Sequence, residues 1–137
     1  MSAILDIYNS LANMEVGDVP CRDIDEVKLN FRKVPLRMLM PSTEGDMAFI
    51  AIGDLQGITW AIKDLCVFAS VTKGEGIEAY SKAMVEYISL YIEQIKANRS
   101  PTAQSCIEGV QVQMGPIAWG EKHYWAVDIT LAVREIL

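Results

Sequence analysis

The sequence predicts an α+β fold, in which a mostly antiparallel β-sheet carries an N-terminal helix and one long helix packed on one face. Three patterns support this fold class. Residues 77–97 repeat apolar side chains at helical spacing, residues 58–69 form the longest β-favouring run, and residues 123–136 alternate with a period of two. Because short turns join consecutive strands, antiparallel pairing is the economical arrangement.

The N-terminal third contains one helix and two strands. Residues 4–14 repeat apolar side chains every three or four positions, which predicts a short amphipathic helix, whereas residues 15–33 lose the periodicity and predict an irregular excursion. Residues 34–41 are bracketed by prolines and predict a first strand between them. Residues 42–46 predict a turn, and the apolar run 47–52 predicts the second strand.

The remainder of the chain contains the third strand at 58–69, then the long helix, then the C-terminal strands. Residues 106–114 alternate and predict a half-buried strand, which we expect to end at a Gly-Pro turn before a brief piece at 117–119. Residues 123–136 predict a terminal strand with one face on the core and the other face wet or in contact with a neighbour.

Composition indicates one domain spanning residues 1–137. Hydrophobic residues make up 51% of the chain and charged residues 22%, and no stretch approaches the roughly 20 consecutive apolar residues of a membrane-spanning helix. The first residues lack the positive region of a signal peptide. We therefore expect a protein that does not span a membrane and that is made in the cytoplasm.

Charge and cysteine content exclude further classes. The net charge of −6 argues against a protein that grips nucleic acid, because such binding needs clustered Lys and Arg. Cys21, Cys66 and Cys106 have neither the close spacing of a zinc site nor the even count of a disulfide framework. We expect reduced thiols, with Cys66 and Cys106 behaving as small core residues.

Motifs for catalysis or cofactor binding are not found. The lone histidine, His123, has no neighbouring nucleophile pattern and is interpreted as a surface or interface residue. Gly74 and Gly76 flank an acidic residue and lack the Lys-Ser/Thr of a phosphate loop. The acidic cluster at residues 23–26 lacks the ligand spacing of a calcium loop. We expect no enzyme activity, no metal and no cofactor.

Aromatic residues concentrate on the long helix and around the last turn. Tyr80 and Tyr87 lie seven residues apart with Met84 between them, which is most simply explained by core packing. Trp119 and Tyr124 flank a turn where solvent exposure is expected. Exposed large aromatics are enriched at protein interfaces, so these two residues are candidate subunit contacts, with simple packing as the alternative.

The order of elements resembles that of the tail terminator, or tail-completion, proteins of the neck of long-tailed bacteriophages. The resemblance lies in an amphipathic start ILDIYNSLA, an acidic loop DIDEV, and the strands VPLRMLMP and ITWAIKDL. A loop containing glycine, a long helix and the final strand YWAVDITLAVRE follow. The resemblance spans nearly the whole chain and rests on this pattern.

The resemblance implies a virion protein of the phage neck, assembled in the host cytoplasm. It implies a homo-oligomeric ring, usually a hexamer, which sits on the end of the tail tube protein, stops tube growth and offers a surface to the head-completion or connector protein. DNA would pass through the lumen without specific binding, and the negative net charge of −6 suits such a channel.

Charged residues of the irregular excursion are candidate subunit contacts in such a ring. Loops of this kind dock on neighbouring rings, and opposite charges on adjacent copies would attract each other. The alternative is a plain solvated loop. The candidate residues are Arg22, Asp23, Asp25, Glu26, Arg32 and Lys33.

Two alternatives remain at this stage. The chain can be another phage neck or tail component, either a head-completion protein or a tube subunit. From a different class, it can be a dimeric α+β domain that binds a small molecule, because helices on a sheet often leave a pocket. The sequence lacks the convergent polar groups that such a pocket needs.

Overall fold

The computed structural model describes residues 4–21, 35–41, 43–44, 47–48, 50–52, 57–71, 78–119 and 122–136. The helices are α1 (Ile4–Ala12) and α2 (Glu78–Ala97). The strands are β1 (Leu36–Pro41), β2 (Thr43–Glu44), β3 (Met47–Ala48), β4 (Ile50–Ile52), β5 (Gly57–Ser70), β6 (Ser105–Trp119) and β7 (Lys122–Ile136).

Five of these strands form one antiparallel sheet in the order β1-β5-β7-β6, and β4 also pairs with β5. The central strands are long, 14 residues in β5 and 15 in β7. β1 pairs with β5 from Leu36↔Val67 to Pro41↔Ile62, and β6 pairs with β7 from Ser105↔Glu135 to Trp119↔Lys122. Thus β6 forms one edge of the sheet, and β1 and β4 lie at the other.

Both helices pack on the same face of the sheet, which confirms the predicted fold class. The apolar stripes of α1 and α2 meet every second residue of β5 and β7, as the two periodicities require. The core contains Ile7, Leu11, Met84, Tyr87, Tyr91, Ile95, Ile62, Cys66, Ile107, Val127, Ile129, Leu131 and Val133.

Among the described residues, the opposite face of the sheet is buried at one end only. A second cluster there contains Leu36, Met38, Leu65, Val67, Tyr124 and Ala126. Further along the same face, the Lys63 ammonium lies 3.0 Å from the Asp128 carboxylate, and both side chains are partly exposed. The second face therefore changes from apolar to polar along the strands.

Two sequence-based boundaries were wrong. The chain does not turn at Gly115 and Pro116, because β6 continues through both residues to Trp119. Proline lacks an N–H and is tolerated on an edge strand, where one side of the backbone has no ladder to maintain. The run 47–52 is also not one strand: Met47–Ala48 pairs with Thr43–Glu44, whereas Ile50–Ile52 pairs with β5.

A β-bulge between Ile107 and Gly109 changes which face each β6 residue occupies. Ile107 opposite Val133 and Val110 opposite Leu131 consequently share the helix-bearing face, although the alternation of the sequence places them on opposite faces. Cys66 is buried as expected, but Cys106, at the start of β6, is exposed, so its prediction as a core residue was wrong.

Candidate functional site: a buried polar network and an open sheet edge

A buried guanidinium joins four elements of the fold. Arg37 of β1 is paired with Cys66 of β5, so its side chain points to the helix-bearing face, where it is fully buried. Its Nη2 lies 2.9 Å from Oδ2 of Asp64, and its Nε donates to both carboxylate oxygens at 3.2–3.3 Å. This fork-like approach gives a charge-assisted contact with defined geometry.

The same guanidinium caps the C-terminal end of α1. Nη2 of Arg37 donates to the Leu11 carbonyl and Nη1 to the Met14 carbonyl, each at 2.7 Å. The last carbonyls of a helix have no partner within the helix and carry partial negative charge, so a cation is favourable there. Arg37 therefore fixes the position of α1 on the sheet.

Asp64 receives a further donor from the long helix. The Tyr91 hydroxyl donates to Oδ2 of Asp64 at 2.7 Å, and the Arg37 guanidinium lies 5.9 Å from the centre of the Tyr91 ring. Burial, together with the Asp64 carboxylate, raises the pKa of Tyr91, so its hydroxyl stays a neutral donor. Burial would lower the pKa of Arg37, but Asp64 opposes this and leaves that pKa raised.

The burial and pairing of this network are those of a structural joint. Arg37 and Asp64 are both 0% exposed, and their polar atoms are engaged with each other, with two backbone carbonyls and with Tyr91. The arrangement neutralises two buried charges and holds α1, β1, β5 and α2 together.

Two tyrosines one helical turn apart provide a matched test of this joint. Tyr91→Phe removes the hydrogen bond to the Asp64 carboxylate and is expected to lower the free energy of unfolding by about 1.5–3 kcal/mol. In Tyr87 the hydroxyl is buried near the Cys66 thiol and has no hydrogen-bond partner within the described residues. Tyr87→Phe is therefore expected to change stability by no more than about 0.5 kcal/mol.

Urea denaturation followed by tryptophan fluorescence would measure both variants. Each substitution keeps the aromatic ring. The edge-to-face contact between the Phe68 and Tyr87 rings, whose centroids lie 5.4 Å apart, therefore remains possible in both variants. Equal losses in the two variants would mean that the hydrogen bond from Tyr91 to Asp64 makes no specific contribution to stability.

The second feature is the outer edge of β6. From Val110 to Met114 all five side chains are exposed, on both faces of the strand, although these residues lie in the middle of a long strand. Among the described residues none pairs with the outer backbone of this segment. An unpaired edge of this kind is a template for another strand.

Other exposed apolar side chains lie on the two helices. Leu5 of α1 is 75% exposed, and Val85, Leu90 and Ile92 of α2 are also exposed. Acidic residues adjoin them in the sequence, Glu86 next to Val85 and Glu93 next to Ile92. With Ile136 at the end of β7, which is 61% exposed, exposed apolar residues lie on α1, α2, β6 and β7.

The candidate aromatic contacts differ in position. Trp119 is partly buried and packs, with Ile117, against the second cluster. Tyr124 is only 1% exposed within that cluster, so the expectation of solvent exposure was wrong for this residue. Although it follows the turn, Tyr124 faces the sheet side that holds Leu36 and Met38, and burial in the subunit leaves it little surface for a partner.

The charged candidates Arg22, Asp23, Asp25, Glu26, Arg32 and Lys33 lie outside the described residues. Within the described part, His123 is exposed, and no group of three His, Cys, Asp or Glu side chains is placed to hold a metal. No helix in that part is long and apolar enough to cross a membrane.

Reasoning from the sequence missed the Arg37–Asp64 pair. A signal was present: each residue interrupts an apolar β-favouring run, and Asp64 shares its side of β5 with Ile62 and Cys66. A charge on the core side of a strand requires a partner of opposite charge.

Comparison with models of known protein families gives no match to this sequence, and no curated protein matches it significantly.

Proposed function

We propose that this chain is a structural subunit of the neck of a long-tailed bacteriophage. In this proposal it forms a homo-oligomeric ring, a hexamer, on the end of the tail tube, stops tube growth and provides the surface for head joining. The subunit is assembled in the host cytoplasm and resides in the virion, and it performs no catalysis.

The distribution of exposed apolar side chains carries the proposal. They occur on several separate elements: Leu5 on α1, then Val85, Leu90 and Ile92 on α2, then Val110, Val112 and Met114 on β6, and Ile136 at the end of β7. A ring subunit needs two different surfaces for its two neighbours in the ring, and a neck ring needs further surfaces for the tube below and the connector above. A subunit with several contact surfaces fits this role better than one with a single cleft.

The order of elements and the charge give further support. The amphipathic helix, the strands at 36–41 and 57–70, the long helix and the terminal strand occur in the order on which the resemblance to tail terminators rests. The net charge of −6 suits a lumen through which DNA slides without adhering. Repeated weak contacts around a symmetry axis would then give a stable cap by avidity.

The test is the molar mass of the purified protein by light scattering, followed by negative-stain imaging. We expect discrete rings of about six copies, either alone or after addition of purified tail tubes, whose ends the rings should occupy. The variant carrying Asp25→Lys and Glu26→Lys is expected to form fewer rings at low salt while the subunit stays folded, because the reversed charges repel the basic residues of the next copy and low salt leaves that repulsion unscreened.

Two outcomes would contradict the proposal. Fibres of the pure protein would indicate a tube subunit, because a terminator stops after one or two rings. A rise in melting temperature with one compound of a metabolite panel, without rings on any tube, would indicate the small-molecule-binding alternative.

A further inference from the structure

Within the described part of the chain, the β6 edge lacks the usual protection against pairing. Natural edge strands carry lysines, inward-pointing charges or a covering element. Between Gly109 and Trp119 the strand has no charged residue, and residues 110–114 are exposed on both faces. Pro116 interrupts only the far end of the segment, so that the part centred on Val112 can accept a partner strand.

The sequence of this segment is self-complementary. Residues 109–115 read GVQVQMG, which is nearly the same in both directions. In an antiparallel pair of two copies centred on Val112, Val110 of each copy faces Met114 of the other, and Gln111 faces Gln113. Apolar side chains meet on the helix-bearing face, amides meet on the other face, and glycines meet at both ends. Such cross-strand pairs are the stabilising unit of a sheet.

We infer that the β6 edge binds the β6 edge of a second copy of this chain, antiparallel and centred on Val112, so that two sheets become one. The segment is uncharged in both copies, so no charge is buried by the pairing. Its order of Val, Gln and Met side chains is nearly the same in both directions, so each side chain faces one of its own kind. A partner bearing charges in this region would leave them against Val110, Val112 and Met114, which offer no compensating charge.

The contact goes beyond the proposed neck function and does not depend on it. Pairing of β6 with β6 has twofold symmetry, so it cannot close a six-membered ring, in which each copy uses two different surfaces. It joins two free subunits, or subunits that belong to two facing rings. Ring closure is left to the remaining surfaces, including the exposed residues of α2.

Sedimentation velocity of the full chain over a range of concentrations tests this inference. Val112→Lys places two lysines directly opposite each other at the symmetry centre and is expected to weaken the pairing at least about tenfold. The matched control is Val71→Lys, which introduces the same charge at a valine of nearly equal exposure just after β5 and should leave the pairing unchanged. Circular dichroism and melting temperature confirm that each variant is folded.

A charge exchange tests the register itself. Val110→Lys alone and Met114→Glu alone should each weaken pairing, because each sets a charge against an apolar residue. The double variant should recover it to within about threefold of wild type, because the introduced lysine of each copy then faces the introduced glutamate of the other. Within one strand these two positions are four residues apart, about 13 Å, so they cannot compensate each other in the same copy.

Each outcome decides the question. Paired subunits or paired rings that halve in mass with Val112→Lys and return in the double variant support the contact. A wild-type protein that shows no pairing at any concentration overturns it, and so does a double variant as weak as the single ones, because the edge would then bind some other segment. Ring formation on tubes is scored separately by imaging, so failure of this contact and failure of the neck function are distinguishable.

Discussion

Replacement of Arg37 by methionine is expected to lower the free energy of unfolding by about 3–5 kcal/mol. The substitution keeps a long side chain but leaves the Asp64 carboxylate buried with only the Tyr91 hydroxyl as a hydrogen-bond donor among the interactions described above. It also removes the donors to the Leu11 and Met14 carbonyls at the end of α1. An uncompensated buried charge costs far more than the net contribution of an ion pair.

Urea denaturation at neutral pH would measure this loss, and Asp64→Leu in the Arg37→Met background is the informative comparison. Removing both charges should recover much of the stability, since a buried pair replaced by apolar residues is often no less stable. Recovery should be incomplete because the Met14 carbonyl still lacks its Arg37 donor, and the Leu11 carbonyl keeps only the Met14 N–H at 3.2 Å. If the single variant is as stable as wild type, Asp64 does not carry a buried charge that depends on Arg37.

The elements that could be predicted are those whose pattern is local. The alternation of Trp125, Val127 and Ile129 predicts the core side of β7, and the spacing of Met84, Tyr87 and Tyr91 predicts the buried face of α2, both as found. In each case neighbouring residues along the chain share one environment. A single sequence therefore contains the information needed to assign the element and its buried face.

The features that could not be predicted depend on distant partners. Arg37 and Asp64 are 27 residues apart in the chain, and no local pattern states that they meet. Pro116 indicates a turn unless β6 is known to be an edge strand. The position of β6 in the sheet is set by its pairing with β7, which the local sequence does not state. Similarly, Tyr124 follows a turn, yet the second cluster on the opposite face of the sheet buries it. These three cases share one cause, which is tertiary context overriding a local signal.

Ile129→Ala is the second substitution for which we expect a large effect, a loss of about 2–5 kcal/mol in the free energy of unfolding. Ile129 is fully buried under the helical layer, near the middle of β7, and its removal leaves a cavity among side chains of the main core. Its cross-strand neighbour on β6 is Val112, on the same face of the sheet, which is 36% exposed. Val112→Ala should cost no more than about 0.5 kcal/mol when the subunit is monomeric.

Comparing Ile129 with Val112 tests where the helical layer stops covering the sheet. Both residues are β-branched, adjacent in the ladder and directed to the side of the sheet that carries α1 and α2, so strand propensity cannot account for a difference between them. Burial in the main core distinguishes Ile129 from Val112, because the core includes β7 at this level and leaves β6 exposed. Thermal or urea unfolding at low protein concentration would measure the two effects. Similar costs would mean that Val112 is covered within a single subunit, and the β6 edge would then be unavailable to a second copy.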